Sequence, residues 1–283
     1  MNRRSFLVGC LIAPLVPLRV TAQGSKVEVG YCVGLKGLEV AKAVGFDYVE
    51  LGVTEIAGLA DADFDAALER AQQIGIPTPN ANLFLPSSMR LTGPEAVDPE
   101  QQLAYVKKGF ARVARFGVKI VCFGSGGARR VPDGFPKEDA FKQLVAFGKR
   151  IAPEAKANGI TVVIEPLRRQ ETNIINTTAE GLELVNAVGD PNFELLVDFY
   201  HLASEKEDPA IILRARDHIR HLHMANPQGR VFPLKWEEFD YAPFFKNLRD
   251  IGYAGRISVE ASSKDVPTEA PQAIALLRKA FAG

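Results

Sequence analysis

Thr161-Val162-Val163-Ile164-Glu165-Pro166 is a short β-branched run that stops on an acid. The pattern returns downstream in Leu195-Leu196-Val197-Asp198 and Ile257-Ser258-Val259-Glu260, and between these lies His221-Leu222-His223, which stops on an imidazole. Short apolar runs of this kind read as buried strands of a parallel sheet. The C-terminal end of such strands is a poor place to gather negative charge, because carboxylates aimed into one small space repel each other and lose hydration. A divalent cation is the simplest remedy. Three oxygens and one imidazole suit Mn²⁺ first, with Mg²⁺, Co²⁺ or Zn²⁺ as alternatives.

Working outward from these runs, β-rich segments alternate with amphipathic ones along the chain. Strands are expected at 27–32, 48–51, 80–83, 119–123, 160–165, 194–198, 219–224 and 256–261. Helices are expected at 38–44, 61–74, 98–116, 137–157, 178–188, 209–216, 240–251 and 268–281. Asp98 with Pro99 reads as an N-cap and first turn, and Asn158-Gly159 as a helix stop. Eight strand-then-helix units in series predict an α/β fold, a single-domain (β/α)8 TIM barrel. An open doubly wound sheet is the competing arrangement. It would carry a glycine-rich turn after the first strand, and Gly34-Leu35-Lys36-Gly37 lacks that spacing.

The chain has 283 residues, 47% hydrophobic and 24% charged, enough for one large core. Lys+Arg equals Asp+Glu at 34 each, so the electrostatic footprint of a nucleic-acid binder is missing. Near the start, Arg3-Arg4-Ser5-Phe6-Leu7 precedes a short apolar stretch broken by Pro14 and Pro17 and ending at Val20-Thr21-Ala22. Residues 1–22 therefore read as a twin-arginine-type signal peptide, with export to the periplasm and a barrel over 23–283. The segment is too short and proline-broken to serve as a stable membrane anchor. Cys10 lies too close to the arginines for a lipidation site, and Cys32 and Cys122 read as buried free thiols.

In a (β/α)8 barrel the chemistry sits at the C-terminal ends of the strands, and alternation along each strand decides which side chains point inward. Glu165, Asp198, His223 and Glu260 converge there if their parity is inward. His221 falls one layer below His223 and reads as a hydrogen-bonded barrel histidine, His218 as a surface one, and His201 as a rim residue three positions past Asp198. Glu50 ends the second strand and is expected to line the pocket. The loop Gly124-Ser125-Gly126-Gly127-Ala128-Arg129-Arg130 offers N–H groups and arginines to an anion, and Trp236 a face for a sugar.

Taken together, Ile164-Glu165-Pro166-Leu167 with Glu171, Val197-Asp198-Phe199-Tyr200-His201, His221-Leu222-His223 and Val259-Glu260 make the chain resemble the xylose-isomerase-like barrel superfamily of sugar isomerases and epimerases. The resemblance implies one divalent ion held by Glu165, Asp198, His223 and Glu260, with Glu165 and Glu260 also acting as the acid/base pair. It implies substrate contacts from Glu171, His201 and an arginine after the seventh strand. In the family that arginine follows the ligand histidine by six residues, where this chain has Gly229, so the role passes to Arg230.

Such a site removes a proton from a carbon beside a carbonyl and holds the enediolate charge. Return of the proton to the opposite face is epimerisation, return to the neighbouring carbon is isomerisation, and a leaving group in the β position turns the step into elimination. The expectation is a metal-dependent isomerase or epimerase of a free, non-phosphorylated sugar or keto-sugar. The alternatives are a lyase or hydratase acting on a 3-keto-glycoside and a non-catalytic metal-containing sugar-binding protein. A three-zinc DNA-repair nuclease needs more histidines than the four present. The expected partner is a small sugar, not nucleic acid, and a homo-oligomer is compatible with the sequence.

Overall fold

A computed structural model describes residues 27–283; the expected signal segment and Cys10 lie outside the described residues. Eight parallel strands close on themselves in sequence order. They are β1 Glu28–Cys32, β2 Tyr48–Gly52, β3 Asn80–Asn82, β4 Ile120–Phe123, β5 Thr161–Ile164, β6 Phe193–Asp198, β7 Ile219–Met224 and β8 Arg256–Val259. β8 pairs with β1 through Val29↔Ile257 and Gly30↔Ser258, which completes the ring. Around it run α1 Leu38–Ala43, α2 Val53–Gly58, α3 Asp61–Ile74, α4 Pro99–Arg115, α5 Gly126–Arg129, α6 Lys137–Ala157, α7 Thr178–Val188, α8 Phe199–Ser204, α9 Ile211–Ala215, α10 Ala242–Asp250 and α11 Val266–Ala282. The expected (β/α)8 barrel is the observed one.

Local signals set the longer helices where the sequence puts them. Asp98 caps α4, its Oδ1 accepting from Glu100 N at 2.9 Å. Thr177 caps α7, and Gly189 closes it in a left-handed conformation. Short helices escape the periodicity argument, since a run of four to six residues hardly completes one turn and a half. α2, α5 and α8 were not expected for that reason, whereas α1, no longer than α2, was read at 38–44; α9 is shorter than the 209–216 read from the sequence.

Alternation divides the sheet into two faces. Val49, Leu51, Val121, Phe123, Val162, Ile164, Leu195, Val197, Leu222, Ile257 and Val259 point outward into the main core beneath the helices. Inside the barrel the apolar filling is small: Cys122, Val163 and Leu196, with Ile120 against them. The rest of the lumen includes buried Glu50, Tyr48, His221, His223 and Ser258. Gly30 makes room for this polar filling, because a Cβ there would sit 2.2 Å from the Tyr48 ring.

One irregularity positions the site. Pairing of β6 with β7 runs Leu195↔Ile219 and then Leu196↔His221, so Arg220 is an extra residue. The shift sets Asp198 beside His223 instead of beside Leu222, whose side chain faces the helices. No helix among the described residues is long and apolar enough to cross a membrane.

Candidate active site

β5, β6, β7 and β8 deliver the four expected residues to one point. Glu165, Asp198, His223 and Glu260 each offer a ligand atom within 4.8 Å of the others. His223 Nδ1 lies 2.9 Å from Glu165 Oε1 and 3.5 Å from Glu260 Oε2. Asp198 Oδ1 accepts from Tyr200 N at 2.6 Å, which leaves Oδ2 toward the cluster, 3.6 Å from His201 Nε2. Gly124 permits the approach of Glu165, since a Cβ there would meet Glu165 Oε2 at 2.5 Å.

The electrostatics are those of a site short of positive charge. Burial, then the charges of Glu165 and Glu260, push the Asp198 carboxyl up to about 8. Burial also raises Glu165, with the Glu260 charge adding to it against the His223 imidazolium. At Glu260 burial raises the carboxyl, but the charge and hydrogen bond of His223 together with Arg230 outweigh it and hold the group at about 2. Three oxygen donors, one imidazole and a carboxyl pinned as its acid fit a divalent cation.

Around this cluster stand the residues expected at the substrate. Glu171 Oε1 accepts from Arg168 Nε at 2.8 Å and from Arg230 Nη1 at 3.2 Å. Arg230 also donates to Glu260 Oε2 at 2.6 Å, and its guanidinium lies 4.8 Å from the Tyr200 ring centre. The departure in spacing is absorbed by the backbone, where Gly229 and Arg230 are both left-handed, at φ 92° and 52°. His201 is buried, deeper than a rim position. Its Nδ1 accepts from Arg168 N at 3.1 Å, so Nε2 carries the hydrogen, and that donor finds no partner among the described residues. Burial and the Arg230 charge hold His201 down at about 3, a neutral imidazole.

Several expectations change. Glu50 does not line the pocket. It lies below the cluster, fully buried, accepting from His221 Nε2 at 2.9 Å, His223 Nε2 at 3.0 Å and Ser258 Oγ at 2.6 Å. His221 is the hydrogen-bonded barrel histidine expected, and His218 is half-buried against Glu194. Arg129 is fully buried and donates to Glu165 O at 2.7 Å, and Arg130 donates to Glu171 O, so both arginines brace the backbone instead of awaiting an anion. Trp236 packs near Tyr241 and Phe245 beside a separate hollow of about 670 Å³ formed with α11, away from the four converging side chains. Cys32 and Cys122 are free thiols. Cys122 is buried, while Cys32 is only partly so and lines the cavity; the fold brings their sulfurs to 3.9 and 3.8 Å from His223 Nε2.

One contact had no sequence signal. Asn82, ending β3, donates to Glu260 Oε1 at 3.3 Å. Nothing in the order of residues marks β3 as a partner of β8; closure of the barrel does. The cavity above the cluster is about 510 Å³, with Glu165, Glu171, Arg230, Glu260 and Asn82 among its walls and Leu83 exposed at its mouth.

A family model described as the xylose isomerase-like TIM barrel matches residues 38–280. L-ribulose 3-epimerase of Mesorhizobium japonicum is 28% identical over 227 residues, covering 80% of this chain and 73% of that protein. D-psicose 3-epimerase of Agrobacterium fabrum is 26% identical over 233 residues, covering 79% and 77%. Among solved structures, D-psicose 3-epimerase in the presence of D-fructose superposes with a TM-score of 0.80 at 22% identity, covering 91% of this chain and 100% of that one.

Proposed function

The chain belongs to the xylose isomerase-like TIM barrel family, and on that footing we propose that it is a metal-dependent epimerase of a free ketose, inverting the carbon beside the carbonyl through an enediolate. The observation that carries this reading is the placing of two carboxyls of one cluster at the wall of one cavity. Glu165 and Glu260 come from the ends of β5 and β8, lie 2.9 and 3.5 Å from His223 Nδ1, and both line the cavity. A base and an acid facing one cavity are what inversion needs, one taking the proton from one face and the other returning it to the opposite face. The curated relatives reported above are ketose 3-epimerases, which supports carbon 3 as the reacting centre.

A divalent cation, Mn²⁺ by preference, held by Glu165, Asp198, His223 and Glu260, would supply Lewis-acid stabilisation of the charge that develops on the substrate oxygens. The remaining work falls to this chain's side chains. His201 offers its unpartnered Nε2–H to a substrate oxygen. Arg230 steadies Glu260 and Glu171 in one orientation, and Glu171 accepts from a sugar hydroxyl. Arg129 is buried against the carbonyls of Glu165 and Ile175, and neither it nor Arg130 lines the cavity, which favours a non-phosphorylated sugar over a sugar phosphate. The reading includes export to the periplasm on the Arg3-Arg4 signal.

The test is incubation of the mature protein with Mn²⁺ and a ketose panel in D₂O. Deuterium at carbon 3 together with the carbon-3 epimer is the expected product. Full activity after the metal is stripped, or no exchange with any ketose, would end the assignment. Release of an aglycone from a 3-keto-glycoside would move it to a lyase.

A further inference from the structure

Under the four converging side chains lies a second polar layer that the reaction does not use. Its centre is Glu50, in the middle of β2 and fully buried. Beyond the bonds from His221, His223 and Ser258 already described, it accepts from Cys122 Sγ at 2.9 Å. Tyr48 extends the network by one step, its hydroxyl 2.8 Å from Ser258 Oγ. A carboxylate so deep in a barrel is tolerated only when donors surround it, and β4, β7 and β8 each supply one or more.

The two nitrogens of His223 face different layers. Nδ1 points up at Glu165 and Glu260; Nε2 points down at Glu50 Oε1, 3.0 Å away. Imidazole binds a metal through one nitrogen, and the hydrogen bond made by the other decides which one. The choice matters here because the lower layer is a rival donor set. Glu50, Cys122, His221 and His223 also bring ligand atoms within 4.8 Å of one another.

We propose that Glu50 is a positioning residue: by accepting the Nε2–H of His223 it leaves Nδ1 as the nitrogen free for a cation and keeps that cation in the upper site. The inference rests on the cation site proposed above. A carboxylate suits the task because it can only accept. In Glu50→Gln the amide can rotate to aim N–H at Nε2, which moves the hydrogen to Nδ1 and closes the position where the cation would bind.

The experiment measures Mn²⁺ affinity by calorimetry in the full mature protein, in Glu50→Gln and in Tyr48→Phe, with thermal unfolding of each in parallel. Tyr48→Phe removes a buried hydroxyl from the same network without touching the partner of His223. The expected result is an affinity about 10- to 100-fold weaker in Glu50→Gln and unchanged in Tyr48→Phe, although both variants unfold at lower temperature. Equal affinity in Glu50→Gln and the parent overturns the proposal. So does an equal loss in Tyr48→Phe, which would make Glu50 one more packing element. A ¹⁵N spectrum of the Zn²⁺-loaded parent gives a second readout that holds even if Glu50→Gln does not fold. His223 should retain a protonated Nε2 and show a metal-bound Nδ1; a metal-bound Nε2 refutes the role of Glu50 while leaving the cation site intact. A parent that binds no cation removes the proposed function, and this inference with it.

Discussion

Arg230→Ala tests the assignment that departs furthest from the family spacing. Arg230 makes two charged hydrogen bonds, at 2.6 Å to Glu260 and 3.2 Å to Glu171, and lies on the Tyr200 ring. Hydrogen bonds between charged groups contribute about 1.5–3 kcal/mol each. The Arg230 side chain is 30% exposed, so water takes up part of the loss. Only the short bond to Glu260 bears directly on the base, and the lower end of the range applies. A loss of about 1.5–2 kcal/mol corresponds to roughly 10- to 30-fold in kcat/KM. The pH profile should change as well. Glu260 is held at about 2 against burial by His223 first and Arg230 after it. Without the guanidinium charge its pKa rises, and the acid limb of kcat/KM moves to higher pH. Arg230→Lys keeps the charge but not the two-pronged geometry, so it should lose activity while leaving that limb nearly in place. The assay is carbon-3 epimerisation of the best ketose, measured with saturating Mn²⁺ across pH. Unchanged kcat/KM with an unmoved acid limb in Arg230→Ala would refute the idea that Arg230 tunes Glu260.

Glu165→Gln should lower kcat by about 10²- to 10⁴-fold, the usual contribution of a positioned acid or base, with excess Mn²⁺ present and metal content checked by elemental analysis; turnover near the parent value would remove Glu165 from the acid/base pair. Cation binding should strengthen as pH rises toward about 8, because Asp198 titrates there and must lose its proton to ligate. Calorimetry in two buffers of different ionisation enthalpy should register proton release, and pH-independent affinity would contradict it. The metal-free protein should respond in the opposite sense. Asp198 is raised from 3.8 to about 8, so its proton favours the fold, and this contribution fades as pH climbs through that window. His223, lifted well above 6.5 by Glu50 and Glu165 despite burial, acts in the same direction: its contribution is intact below 6.5 and lost as pH passes its raised value. A melting temperature that rises steadily from pH 5 to 8 without metal would count against both. For localisation, changing Arg3 and Arg4 together to lysine should leave the protein in the cytoplasm, read by cell fractionation; unaltered periplasmic yield would discount the twin-arginine route.

Legibility in the sequence followed how local each signal is. Helices α6 and α7 have the bounds the sequence suggests, since several turns of amphipathic pattern and a terminal stop act within one segment. Glu165, Asp198 and Glu260 were readable because each closes an apolar run, His223 because it ends the His221-Leu222-His223 alternation, and strand alternation turns each position into a direction. Glu50 read as the end of its strand, but β2 continues to Gly52, so Glu50 lies mid-strand, paired with Asn80 and Cys32, one layer lower than the cluster, and only the register of the closed barrel reveals this. Arg129 shows the same limit. An arginine after glycines looks like an anion site, whereas in three dimensions the loop folds inward and its side chain holds the carbonyl of Glu165.

That inward arginine bears on how the barrel divides its tasks. The outer face of the strands packs apolar side chains under the helices and carries most of the hydrophobic stabilisation. The lumen keeps only a small apolar plug of Cys122, Val163 and Leu196 and fills its upper half with carboxylates, histidines and hydroxyls. Such a filling is tolerable only while most groups have partners; Asn80 and His221 Nδ1 have none among the described residues, and the partners that do exist are interlocked. His223 joins the upper acids to Glu50, and Glu50 joins β2 to β4, β7 and β8. Asn82 and Arg230 then attach β3 and the loop after β7 to Glu260. Rigidity of the acid/base pair thus comes from hydrogen bonds that cross the lumen, not from side-chain packing. Changes at Glu165, Glu260 or Arg230 should therefore alter catalysis more than melting temperature, and changes among Val162, Leu195 or Ile257 should do the reverse.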